Sequence, residues 1–149
     1  MYSEILNFFK QNNFSDEGAA ALLGNLYKES KLNPRNLQDT YNKSINLSDN
    51  EYTNRVDNGT YKNFITDEAG YGIAQWTFST RKEKLYNFIK MKNKSIGDLN
   101  AQLEFLIKEL KEDYPKVYQK LKTKSSIDEI SDYIMLNFEN PYDKSEKAK

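Results

Sequence analysis

Apolar residues at helical spacing run along both ends of this chain and leave one long polar stretch between them. That pattern calls for helices packed around shared apolar faces. Near the start, Ser3 can cap a helix with Ile5, Leu6, Phe8 and Phe9 on one face, and Asn12-Asn13 breaks it. Ser15 opens a second helix, with Asp16 and Glu17 at its positive end. Its apolar set is Ala19, Leu22, Leu23, Leu26 and Tyr27, and Pro34 lies beyond its end. Helical spacing resumes after Gly72, first through Leu85, Phe88 and Ile89. Another helix begins at Ser95 and carries Leu99, Leu103, Leu106, Ile107 and Leu110. Pro115 interrupts it or starts a short helix bearing Val117, Tyr118 and Leu121. Ser126 to Glu129 reads as a capping box ahead of Ile130, Tyr133, Ile134 and Phe138. Pro141 and the tail DKSEKAK read as a fraying or trimmed end.

Residues 35–70 are rich in Asn, Asp, Thr and Ser, with Asn58-Gly59 as a turn signal. Tyr52–Val56 and Tyr61–Ile65 alternate and can pair as a hairpin across that turn; an irregular loop is the plainer alternative. The expected fold class is α+β, mostly helical, with a small β-hairpin region between the second helix and the later ones. With no repeat and no linker, residues 1–149 are expected to form one domain, which can also be one domain of a longer protein.

Composition removes several chemistries. Cysteine and histidine are both absent, which excludes thiol and Ser-His-Asp catalysis and argues against a zinc hydrolase. Carboxylates must then do any acid-base work. Eleven Tyr, eight Phe and one Trp bring apolar area with some polar tips, suited to a core or to a wet sugar groove. Charges balance at 22 against 22, unlike a dedicated nucleic-acid binder. Residues 1–78 are slightly acidic and residues 79–149 slightly basic. A basic half resting on a polyanionic wall is one reading, and ordinary solvated helix surface is the better one. The N-terminal MYSEILNFFKQNN shows no secretory signal or membrane span.

Two places stand out chemically. Glu29 ends the second helix in Asn25-Leu-Tyr-Lys-Glu-Ser30, on or beside the face that carries Leu22 and Leu26. A carboxyl there is expected to lose hydration and to feel the negative end of the helix, both of which favour its protonated form. A protonated carboxyl can donate to a glycosidic oxygen. The competing reading is a surface Glu pairing with Lys28 or Lys31, and periodicity alone favours it. The second place is Asp67-Glu-Ala-Gly-Tyr-Gly-Ile-Ala-Gln-Trp-Thr77. Its glycines permit a sharp turn. Tyr71 and Trp76 offer faces for sugar rings, and Gln75 and Thr77 offer hydrogen bonds. A core Tyr and Trp beside a tight turn is the alternative.

The run Gly18-Ala-Ala-Ala-Leu-Leu-Gly-Asn-Leu-Tyr-Lys-Glu-Ser-Lys-Leu-Asn-Pro34, with Gly70-Tyr-Gly-Ile-Ala-Gln-Trp-Thr77 and Arg81, resembles the phage tail lysozyme family. These are wall-degrading domains related in layout to goose-type lysozymes and lytic transglycosylases. Phe138-Glu-Asn-Pro141 also resembles the family's last helix, so the likeness spans about residues 15–141. The resemblance implies a lysozyme-like fold, Glu29 as general acid, Gly70–Gln75 as the groove wall, and Tyr71, Gln75 and Trp76 on the glycan; Thr77 joins them as a substrate-binding candidate through its hydroxyl. A second carboxylate is expected about 5–9.5 Å from the acid. Asp67 is the first choice for it, beside Glu68 and Asp57, and a turn residue bonding its own backbone is the equal alternative.

The expected function is cleavage of the β-1,4 bond between N-acetylmuramic acid and N-acetylglucosamine. The alternatives are a lytic transglycosylase, a non-catalytic glycan-binding module and a structural virion protein. Peptidoglycan is the expected partner, with other phage tail or wall-binding domains beside it and neither nucleic acid nor membrane insertion. The site of action is the wall, reached from a virion tail or from the host cytoplasm at lysis. No metal or organic cofactor is implied: Asp49-Asn-Glu51 and Asp57-Asn-Gly59 lack the spacing of a calcium loop.

Overall fold

A computed structural model of the chain describes residues 2–139. Eight α-helices follow in order: α1 (Tyr2–Gln11), α2 (Asp16–Ser30), α3 (Asp39–Ile45), α4 (Asp49–Asn58), α5 (Ser79–Met91), α6 (Leu99–Asp113), α7 (Pro115–Lys120) and α8 (Ile127–Ile134). A five-residue π-helical turn, Met135–Glu139, continues from α8. Among the described residues there is no strand, only isolated bridges from Tyr71 to Leu37 and to Trp76. The fold is therefore all-α, and the expected α+β class with a hairpin over Tyr52–Ile65 is overturned.

The reason lies at Ser48. Its side chain accepts from the Glu51 N–H while the Glu51 carboxylate accepts from the Ser48 N–H, a reciprocal cap that starts α4. Tyr52, Thr53 and Val56 are then buried together at helical spacing. Asn58-Gly59 does reverse the chain, but as the end of α4. Gly59 takes φ 85°, and its N–H donates to the Val56 carbonyl.

The chain divides into two compact units, with the boundaries inside α2 and α6. One unit combines the ends of the chain, up to Lys28 and from Ile107. Here Ile5 and Phe9 of α1 are buried, and Phe9 meets Phe14, which meets Tyr118 edge-on. Ser15 caps α2 through the Gly18 N–H. The Ser15 hydroxyl also donates to the Thr123 carbonyl, and its N–H to that of Leu121. Gly18 sits so close that a Cβ there would lie 1.9 Å from the Leu121 oxygen, so no larger residue fits. Pro115 occupies the first turn of α7, and Ser126 caps α8 through the Glu129 N–H. Phe138 is buried against Tyr114, while Pro141 and the tail lie outside the described residues.

The other unit, Glu29–Leu106, holds α3, α4, α5 and the irregular segments between them. Its core is aromatic. Tyr52, Phe64, Tyr71 and Tyr86 form one cluster. Trp76, Phe105 and Phe88 form another, beside buried Leu85, Ile89 and Leu103.

Candidate active site

The loop after Asp67 is shaped by its own hydrogen bonds. Tyr71 and Trp76 exchange N–H···O=C bonds of 3.0 and 2.9 Å, closing a turn of Gly72-Ile-Ala-Gln75. Gly72 takes φ 85°, and a Cβ there would lie 2.9 Å from Gln102 Oε1 and 3.0 Å from the Trp76 ring. Glycine is required on both counts. Gln75 also takes a positive φ, 51°, and its Nε2 donates to the carbonyls of Asn36 and Gly72. The buried Gln102 side chain accepts the Ile73 N–H and donates to the carbonyls of Pro34 and Ile96. Gln38 braces the entry to the turn: its Oε1 accepts the Gly70 N–H, and its N–H donates to the Gly70 carbonyl.

Glu29 lies in the last turn of α2 and is exposed. Its place beside the apolar face does not bury it. The next residue is the opposite: Ser30 is buried, and its hydroxyl donates to the Ile73 carbonyl at 2.8 Å. Its Oγ also accepts the Leu32 N–H where the chain leaves the helix, with Lys31 and Leu32 both at positive φ. One bond thus ties the residue after Glu29 to the apex of the Tyr71–Trp76 turn.

Asp67 has quite different surroundings. Its Oδ2 accepts from the hydroxyls of Tyr52 and Tyr61, each at 2.7 Å. Its Oδ1 accepts from Lys82 Nζ at 2.6 Å and from the Ala69 N–H at 2.9 Å. The last of these is the turn bond to its own backbone. The Lys82 side chain is fully buried and that of Asp67 only 8% exposed. Burial pushes the Tyr52 hydroxyl far up, and the Asp67 carboxylate adds to it; burial and the bond to Asp67 do the same for Tyr61. Both hydroxyls are thereby kept protonated as donors. Burial pulls the Lys82 ammonium down, and Asp67 opposes that shift.

Tyr71 and Trp76 are fully buried. The Tyr71 hydroxyl bonds Thr53, and burial raises its pKa. Both rings pack as core beside a tight turn. Gln75 and Thr77 are partly exposed, and the Thr77 hydroxyl donates to the Gln75 carbonyl. Of the other carboxylates considered, Asp57 pairs with Lys90 at 2.7 Å and accepts from Ser95 and the Ile96 N–H. Glu68 is exposed at φ 55°. Gln38, Asn36 and Lys82 were missed from sequence. Only Lys82 carried a signal: it stands three residues before Leu85 and seven before Ile89, on the buried face of α5.

A family model for phage tail lysozyme matches residues 1–149. The chain belongs to the phage tail lysozyme family. Comparison with curated proteins finds no match. Family membership supports a glycosidase-type enzyme acting on bacterial cell-wall peptidoglycan. Among the described residues no helix is long and apolar enough to cross a membrane, and no group of three or more acidic side chains is placed to hold a metal ion.

Proposed function

We propose that this member of the phage tail lysozyme family cuts the β-1,4 bond between N-acetylmuramic acid and N-acetylglucosamine, with Glu29 as general acid. One observation carries the reading. Glu29 is an exposed carboxylate whose neighbour, Ser30, is buried and bonded to the loop of the family motif. The acid can reach a polymeric substrate while its backbone is held. A glycan lying over Glu29 removes water from the carboxyl, and loss of water favours the neutral, proton-donating form. Glu29 gives its proton to the leaving oxygen as the bond to the anomeric carbon breaks, and water completes the reaction at that carbon. Gln75 and Thr77, with partly exposed side chains, are the groove residues offered to the sugar.

The state of Asp67 favours a second reading at the same acid. Four donors already occupy its oxygens, which suits a mechanism needing one carboxylate only. In a lytic transglycosylase the muramic 6-hydroxyl attacks its own anomeric carbon. Glu29 protonates the leaving oxygen and then takes the proton of that hydroxyl, leaving a 1,6-anhydro end. The glycan-binding module loses its footing, because Tyr71 and Trp76 are buried. Wall digestion by the wild-type chain and by Glu29→Gln tests the reading. The wild type is expected to release glycan fragments and the folded variant to release almost none; equal release by both would reject it.

A further inference from the structure

We propose that Lys82 is a positioning residue for the reaction, acting with Asp67 to hold the loop to which Ser30, the residue after the acid, is bonded, and that Asp67 does not itself react with glycan. The inference rests on the glycosidase reading above. Every bonding position of the pair is used. The Lys82 ammonium donates to Asp67 Oδ1 at 2.6 Å, to the Ala69 carbonyl at 2.8 Å and to the Tyr52 hydroxyl at 3.2 Å, which accounts for its three hydrogens. It also stands 4.2 Å from the Phe64 ring centroid. Asp67 receives four donors, about the number of lone-pair sites a carboxylate has. A carboxylate so filled, with an ammonium against it, has no free lone pair for a water or an anomeric carbon.

An ion pair in this position adds little net stability over a well-packed apolar pair, because both ions lose their water. Its value is geometric. Lys82 and Asp67 grip both polar groups of Ala69, its carbonyl and its N–H. Gln38 does the same for Gly70. Two consecutive residues are thus held at N–H and C=O, and they set the direction of the chain entering the Tyr71–Trp76 turn. Ser30 hangs from that turn through Ile73, one residue from Glu29. An apolar pair could fill the space but could not hold Ala69, so the turn would be packed without being aimed.

The test compares Lys82→Met, Asp67→Asn and the charge-free double variant. Each is checked for native helix content, then assayed for kcat and KM on solubilised peptidoglycan strands and for amide hydrogen exchange. If either single variant fails to fold, the double variant, which leaves no buried charge alone, carries the test. Each folded variant is expected to lose about 10²-fold in kcat, as for an acid misplaced by an ångström, with KM little changed. The double variant should fall no further than the worse single one. The amides of Tyr71 and Trp76 should exchange faster, while those of α5 keep their protection. A nearly normal kcat for Lys82→Met beside an inactive Asp67→Asn would overturn the proposal and make Asp67 a reacting group. Wild-type kcat and exchange in the double variant would overturn it as well. If the wild type cuts no glycan, the glycosidase reading fails by itself, and unchanged exchange in the double variant still rejects the role given to Lys82.

Discussion

Glu29 and Asp67 belong to the same compact unit, the first exposed at the end of α2, the second under two tyrosine hydroxyls and an ammonium. Asp67 precedes the Tyr71–Trp76 turn in the chain, Glu29 precedes the residue bonded to it, and both were candidates for chemistry on sequence grounds. Their surroundings separate them. An exposed carboxylate lies where a polymer too large to enter a closed cavity can reach it. A filled and buried one is a joint in the scaffold. The contrast shows that nearness to a sequence motif says little about a carboxylate's role until its hydrogen-bond partners are counted.

The contrast can be tested at several points. Glu29→Gln gives the largest expected effect: wall-cleaving activity falls about 10²–10⁴-fold, the usual share of a general acid, with stability almost unchanged. Turbidity clearing alongside thermal melting checks both halves. Lys82→Met should do the reverse to stability. It strands the Asp67 carboxylate in a buried site, which costs about 3–5 kcal/mol, and the double variant with Asp67→Asn should recover most of it. Urea unfolding measures the difference; full stability in Lys82→Met alone would erase the contrast. Ser30→Ala removes a buried hydroxyl from the Ile73 carbonyl, for about 1–3 kcal/mol, and should lower kcat more than it raises KM.

The smallest effect is on pH dependence. Tyr52, Tyr61 and Tyr71 have folded pKa values above the ordinary 10.0. The stability they contribute is therefore complete below about pH 10 and is lost as pH rises through the raised values. Lys82, whose pKa is lowered, works the other way, because the unfolded chain holds that proton to higher pH. Three tyrosines outweigh one lysine, so stability should fall above about pH 10. Tyr61→Phe should make that fall shallower. An unchanged alkaline slope in Tyr61→Phe would detach Tyr61 from the Asp67 cluster.

Much of the fold was legible where a capping side chain met a clear apolar period. Ser15 and Ser126 start their helices as read, and of the two readings of Pro115 the start of a helix holds, whereas Ser3 falls inside α1 and α6 begins at Leu99 under an Asp98 cap rather than at Ser95. The error fell at residues 48–65, where Tyr52 and Val56 fit both a strand and a helix. The reciprocal cap of Ser48 and Glu51, the same signature recognised at Ser126, decides between them. At the site, Glu29 stood out through the Glu-Ser motif, and its exposure is the surface position that helical spacing alone favoured. Tyr71 and Trp76 read as groove residues with a core role as the alternative; the rings of Tyr52 and Phe64 against Tyr71, and of Phe105 against Trp76, come from elsewhere in the chain. Lys82 was hidden in the basic run Arg81-Lys-Glu-Lys84, which looks like solvated surface until its spacing to Leu85 and Ile89 is weighed.

Mass spectrometry of muropeptides from walls digested by the wild-type chain and by Glu29→Gln tests the central claim most directly. The account predicts fragments cut after N-acetylmuramic acid, ending in a reducing sugar or, by the single-carboxylate route, in its 1,6-anhydro form, and absent from the variant's digest. Intact glycan strands with severed stem peptides, or the same cut fragments from Glu29→Gln, would contradict it.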